Sequence, residues 1–419
     1  MAHFSAKTRR LLWLALALIS AISMWNYEAR IWALGQPPQF SDLYARWWGA
    51  HELLLHHRDP YSVEVSHEIQ QVIYGAPITT TAPGDPAASS GGFAYPIYVA
   101  FLLWPTVGMS FATVHSIFAC LLPICVLAGL LLWLYTMHWR LEFSQFAVIA
   151  IFVLGSFPTL QGLKLQNLSL LAAFLIAASI ASLASDHLVT AGAFLAVATI
   201  KPQFVFLLAA WLALWVARDW KHRRAFAISF TTSLLVLVLG GELLLPGWIG
   251  RFLHIVAEYK QYTYGHSVLD IWFTPTVGPL VGVVFVVAVL YACWSTTTES
   301  ASSPRFLLNV SLLLAVTLVV IPTLEPHAQL LLIPGFLLLL DAGRQLRKIS
   351  RLLVLLAWFL LAWSWIAAAG LTLGSLWLPI TTVNRFWIIP LATSPLIPLG
   401  VTLALFSLRR TTFPVQTSD

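Results

Sequence analysis

The chain has 419 residues, 59% of them hydrophobic and only 10% charged, with a mean hydropathy of +0.82 and a formal net charge of +6. Soluble domains carry about 25% charged residues, so this composition excludes an ordinary soluble enzyme. The positive balance is no nucleic-acid signal either, because the basic residues sit in short clusters between apolar runs, as in cytoplasmic loops of membrane proteins.

A backbone in lipid must satisfy its own hydrogen bonds, which leaves helices or closed barrels, and the apolar runs are too long for barrel strands. The chain therefore reads as all-α, a polytopic transmembrane helical bundle in one integral membrane domain over residues 1–419. Spans are predicted at roughly 11–34, 112–135, 144–161, 168–185, 188–200, 203–217, 225–245, 271–293, 305–321, 328–341, 352–373 and 387–408, about twelve in all. The first is too long, and too poor in small residues at its end, for a removable signal peptide. Lys7, Arg9 and Arg10, then Arg140, the Arg218–Arg224 cluster, Arg305, the 344–351 cluster and Arg409–Arg410 fall on one side, which sets the N-terminus in the cytoplasm.

Two large extracytoplasmic loops follow from this topology, at 36–92 and 246–270. In the first, Phe40, Leu43, Tyr44, Trp47, Leu54 and Leu55 recur at helical spacing with Asp42, Arg46 and Glu52 between them, predicting an amphipathic helix in the membrane interface. Thr79–Gly92, rich in Pro, Gly and Ser, reads as a flexible loop and a candidate lid. Residues 93–110 are read as re-entrant or packed at the outer face, since a full span there would turn every later basic loop outward. The hairpin around Lys201 has short spans and is expected to break within the membrane.

Ionisable groups near spans are costly, so each needs a reason. Asp42, Asp59, Lys164, Gln166, Asn167, Lys201, Gln203, His254, Glu258, His266, Asp270, Glu325, His327 and Arg385 all fall toward the outer face. Sugar transfer from a lipid phosphate needs a carboxylate to take the acceptor proton, cations to stabilise the leaving phosphate and a groove for the lipid tail. The chain supplies candidates for all three. His51, Glu52 and His56 miss the zinc-protease pattern, which needs histidines four apart, whereas here the interval is five. Cys120, Cys125 and Cys293 lie in apolar runs without metal-ligand spacing. No cofactor is indicated, although a divalent metal on Asp42 and another outer acid stays open.

The order Phe40-Ser-Asp42-Leu-Tyr44, Arg58-Asp59-Pro60-Tyr61, Tyr95-Pro96, Gln166-Asn167 and Lys201-Pro202-Gln203 resembles glycosyltransferase family 87 over residues 40 to 217. The resemblance implies a GT-C membrane fold and an inverting transfer of a hexose, mannose foremost, from a polyprenyl-phosphate donor to an extracytoplasmic glycan or glycolipid hydroxyl. It implies Asp42 as catalytic base and a bacterial plasma-membrane location, with membrane lipids rather than nucleic acid as surroundings. Substrate contacts would come from Asp59, Tyr61, Tyr95, Gln166, Asn167, Lys201 and Gln203, with His266 and His327 further candidates for which the family offers no firm equivalent. A pentose donor, arabinofuranosyl, is the alternative of the same type, and a lipid or solute transporter the alternative outside catalysis. Blander roles stand beside these: Asp42 as a helix cap or partner of Arg46, Asp59-Pro60-Tyr61 as a turn, and Lys201 snorkelling to the interface.

Overall fold

The computed structural model describes residues 41–77, 91–262, 267–321, 325–342, 348–386 and 395–412, together with scattered helical positions between 7 and 25. The expected first span, most of the Thr79–Gly92 loop and His266 lie outside the described residues.

Helices begin where the sequence offers a capping hydroxyl. Ser41, Ser62, Ser110, Ser156, Ser267 and Ser303 each precede a helix and accept a backbone N–H from its first turn. Such caps contribute about 1 kcal/mol each. In chain order the helices are α1 (Asp42–His56), α2 (Val63–Tyr74), α3 (Val99–Leu103), α4 (Phe111–Thr136), α5 (Phe143–Leu154), α6 (Phe157–Leu165), α7 (Ser169–Ala184), α8 (Leu188–Ala198) and α9 (Pro202–Arg218). They continue as α10 (Trp220–Leu244), α11 (Trp248–Tyr262), α12 (Val268–Phe273), α13 (Val277–Trp294), α14 (Pro304–Val320), α15 (Ile333–Ala342), α16 (Lys348–Gly374), α17 (Ile380–Phe386) and α18 (Leu396–Thr412). Short 3₁₀ turns occupy Trp104–Thr106 and Pro326–Leu332, and no strand occurs among the described residues.

The all-helical expectation matches what forms, while the span count does not carry over directly. Among the described residues α4, α10 and α13 are long and apolar enough to cross a bilayer, and α5 with α6 makes a fourth if the bent pair is one span. Most other apolar stretches form helices of 10–17 residues. The stretch read as one span over 144–161 is bent by 60°. The cause is local: Ser156 caps a new helix and Pro158 sits in its first turn, so the hydrogen-bond ladder of α5 stops at Gly155. Likewise the 203–217 span starts at Pro202, with Lys201 outside it as the preceding residue.

Packing centres on α14, where nearly every side chain from Phe306 to Val319 is buried. A helix apolar on all faces belongs in the middle of a bundle, and α9, α18 and the 326–332 turn surround it. Helices α8 and α10 pack closely, since a Cβ on Gly192 would lie 2.6 Å from the Phe226 carbonyl oxygen. By contrast α10 and α13 turn Val236, Leu239, Leu243, Val283, Val284 and Val287 outward. Apolar faces with no protein cover are what lipid contact requires of a membrane helix.

The two expected loops are largely helical. Residues 246–270 contain α11 and the start of α12, and the described part of the first loop contains α1 and α2. The apolar side of α1, including Leu43, Tyr44 and Trp47, is buried against protein, chiefly α3 and α2, while Leu55 stays exposed. Residues 93–110 form only the five-residue α3 and one 3₁₀ turn, far short of the about 20 residues a span needs.

Candidate active site

Asp42 is the first residue of α1, held there by the Ser41 cap, whose Oγ accepts from Leu43 N–H at 3.1 Å and reaches the Leu165 carbonyl at 3.3 Å. That second contact ties α1 to the end of α6. There Gln166 takes a left-handed conformation, φ 50°, that stops the helix and turns Asn167 back toward Asp42. Asn167 Nδ2 donates to Asp42 Oδ2 at 2.5 Å. Its amide can point only one way, because Asn167 Oδ1 accepts from both Ser169 N–H (2.9 Å) and Ser169 Oγ (2.6 Å). Gln166 is spent on structure, donating through Nε2 to the His115 carbonyl at 2.7 Å.

One turn along α1, the Arg46 guanidinium lies 4.8 Å from the centre of the Tyr95 ring, and Lys201 Nζ lies 5.1 Å from the same ring. Lys201 is 4% exposed and bonds Glu325 Oε2 at 3.1 Å; His327 Nε2 meets the same oxygen at 2.9 Å. Burial, the largest single influence, opposes the charge on Lys201, but the Glu325 carboxylate together with Tyr95 turns the net direction upward. Burial also opposes the charge on Glu325, yet Lys201 and His327 hold its carboxyl well below the usual range. The two side chains face each other as an ion pair at 3.1 Å. The chain of contacts closes on itself, because a Cβ on Gly162 of α6 would lie 3.0 Å from His327 Cβ, so the helix that leads into Asn167 packs directly on the His327 turn.

Supporting contacts hold the segment around Tyr95. Tyr61 Oη donates to the Tyr95 carbonyl at 2.7 Å, and Tyr98 Oη donates to the Thr199 carbonyl at 2.9 Å, just before Lys201. Burial first, then the Asp59 and Tyr98 neighbours, push the Tyr61 phenol well above its ordinary value, so it remains a donor. Asp59 makes the turn: its Oδ1 accepts Tyr61 N–H at 2.9 Å, while Oδ2 pairs with Arg251 of α11 at 2.5 Å. Gln203, the second residue of α9, is partly buried.

Thus Asp42 meets Asn167, Lys201 meets Tyr95 and the Glu325 shared with His327, and Arg46, one turn from Asp42, reaches the same Tyr95 ring; Tyr61, Asp59 and Gln166 brace these residues, and His266 lies outside the described residues. The sequence reading treated Arg46 only as a partner for Asp42 and gave Glu325 no site role. Both join the constellation. The signal for Arg46 was its position four residues after Asp42, on the same helix face.

Beside this group, between the α5–α6 bend, the 326–332 turn, α15 and α16, lies a cavity of about 270 Å³ lined by Phe152, Thr159, Leu330, Phe336 and Trp358 among others. Its walls are almost wholly apolar, and Thr159 and Leu330 belong to the elements that carry Asn167 and His327.

The sequence model of a family described as Glycosyltransferase family 87 matches residues 93–322 of this chain. The matched segment includes Tyr95, Gln166, Asn167, Lys201 and Gln203, ends just before Glu325, and begins after Asp42. No curated protein and no solved structure matches.

Proposed function

From the premise that the chain belongs to glycosyltransferase family 87, we propose that it moves a hexose, mannose foremost, from a polyprenyl-phosphate donor to a hydroxyl of an extracytoplasmic glycan or glycolipid. The observation that most supports this reading is that Asp42 shares α1 with Arg46, whose guanidinium lies over the same Tyr95 ring as Lys201, near an apolar cavity. Base, phosphate contact and lipid groove are the three needs of such a transfer.

In the proposed reaction the acceptor oxygen attacks the anomeric carbon as Asp42 takes its proton. The bond from that carbon to the donor phosphate oxygen breaks, and polyprenyl phosphate leaves with the electron pair. Attack opposite the leaving group inverts the anomeric centre. The phosphodiester carries one negative charge and the departing monoester tends toward two, so stabilisation must grow along the path. Arg46 and Lys201 against Glu325 sum to one positive charge, with the single N–H of neutral His327 already given to Glu325. That sum answers a phosphodiester without neutralising the site beforehand. Asn167 keeps the Asp42 carboxylate oriented while leaving its charge intact, since an amide donor is neutral.

The test is transfer of radiolabelled sugar from polyprenyl-phosphate mannose by membranes containing the chain or its Asp42→Asn variant. Incorporation that depends on Asp42 supports donor class and base together. A folded Asp42→Asn protein with full activity defeats the mechanism. Transfer only from a pentose-carrying lipid phosphate keeps the mechanism and changes the sugar.

A further inference from the structure

The C-terminal end of α1 gathers metal-ligating groups that sugar transfer does not use. One ligand atom from each of His51, Glu52 and His56 lies within 4.8 Å of the other two. His56 Nδ1 is 3.3 Å from Glu52 Oε1, and His51 Nε2 is 3.9 Å from it. Tetrahedral Zn²⁺ with ligands at about 2.0–2.2 Å has ligand-to-ligand edges of about 3.4 Å. One edge is already at that length, and the others need to shorten by no more than about 1.4 Å.

The donors are also prepared for a cation. His51 Nδ1 lies 2.8 Å from the Val107 carbonyl, which can only accept, so the proton sits on Nδ1 and the Nε2 lone pair faces Glu52. A carbonyl behind the imidazole is the usual outer partner of a metal-bound histidine. The Trp48 ring stacks on His51 at 5.1 Å and fixes its plane. Arg58 Nη1 donates to Glu52 Oε2 at 2.6 Å, which leaves Oε1 turned toward both imidazoles. Arg58 is shared with Glu68, also at 2.6 Å. Two carboxylates and one guanidinium leave a local charge of about −1 for a cation to answer. The His56 side chain is 53% exposed, so a fourth position opens to water.

We propose that His51 Nε2, Glu52 Oε1 and His56 Nδ1 form a binding site for a divalent cation of the Zn²⁺ class. Two imidazoles and a single carboxylate suit zinc, whereas magnesium and calcium demand mostly oxygen ligands. Glu52 lies about 15 Å along α1 from Asp42 at the helical rise per residue. The ion therefore works on structure: it locks the last turn of α1, from which the chain runs through Arg58 to Tyr61 and the Tyr95 contact.

The test uses full-length protein in detergent, without a polyhistidine tag, stripped with chelator and titrated calorimetrically with ZnCl₂. One equivalent is expected to bind and to survive desalting. His56→Ala and His51→Ala are each expected to weaken binding at least about tenfold, while His57→Asn, at the adjacent exposed cap, leaves it unchanged. Zn²⁺ is expected to raise the melting temperature of the wild type but not of His56→Ala. If His51→Ala, which loses packing on Trp48, fails to fold, the exposed His56 variant decides alone. Wild-type protein that retains no zinc, or binding undiminished by His56→Ala, overturns the proposal.

Discussion

At the N-terminal end of α1, Asp42 accepts from the neutral Asn167 amide, whereas at the other end Glu52 accepts from the Arg58 guanidinium and is only 3% exposed. The two carboxylates share a helix and differ in the charge of their donor. An amide fixes a carboxylate in direction and leaves its negative charge for a proton or substrate. A guanidinium fixes direction and opposes the charge of the oxygen it holds, so the acid serves as a structural tie. In the proposed mechanism a base and a brace are thus separated by partner chemistry, not by residue type.

Exchanging charge for an isosteric amide at each end is the sharpest way to break this comparison. Asp42→Asn is expected to lower transfer by about 10²–10⁴-fold with little change in melting temperature. Glu52→Gln is expected to lower the melting temperature while the folded fraction keeps transferring. Loss of activity from Glu52→Gln alone, in folded protein, would reverse the assignment of roles.

The Lys201–Glu325 pair extends the contrast to a buried setting. Lys201→Met strands a carboxylate and is expected to destabilise the protein by about 3–5 kcal/mol, read by denaturant or thermal unfolding. The double variant Lys201→Met/Glu325→Gln is expected to recover much of this, since no buried charge remains. Because the Glu325 carboxyl is held below its ordinary value by Lys201 and His327 against the pull of burial, its contribution has a definite sign with pH. It is fully present above the unfolded value of about 4.3 and is lost as pH falls through the lower folded value. Melting temperature below about pH 4 is therefore expected to fall more steeply in the wild type than in the double variant.

Smaller effects refine the Asp42 end. Asn167→Leu removes a hydrogen bond to a charged group, about 1.5–3 kcal/mol, and is expected to lower kcat more than it raises KM, because orientation of the base is lost. Ser41→Ala removes the α1 cap and is expected to lower stability by about 1 kcal/mol in unfolding experiments. An Asn167→Leu protein with unchanged kcat would mean that Asp42 needs no amide to hold it.

Helical class and the motif order were legible because they depend on local chemistry, apolar run length and a few short polar groups in sequence, whereas the cap expected at Asp42 falls on Ser41. Asn167 beside Asp42 could be anticipated only as two motifs of one resemblance. Their 2.5 Å contact depends on the left-handed turn at Gln166 and on Ser169 holding the amide, neither of which has a periodic signature. The bend at Gly155–Ser156 was hidden for a related reason. The apolar run there is continuous, and hydropathy does not register that Ser156 and Pro158 restart the helix.

His51, Glu52 and His56 show the limit of spacing arguments most clearly. An interval of five places the histidines on different faces of an ideal helix and excludes the zinc-protease pattern, yet the ring centres lie 5.2 Å apart. Reach of long side chains at the final turn, with Val107 and Arg58 arriving from other parts of the chain, brings the ligand atoms together.

By itself the sequence determined that the protein is built of apolar helices and which polar residues it can offer, because composition and run length dictate what a backbone can do in lipid. Which of those residues meet was decided only by the tertiary structure. Arg46, Tyr95, Lys201, Glu325 and His327 come from distant parts of the chain and converge through helix packing. Such contacts follow from the shapes of buried surfaces such as Gly162 against His327, and no local pattern encodes them.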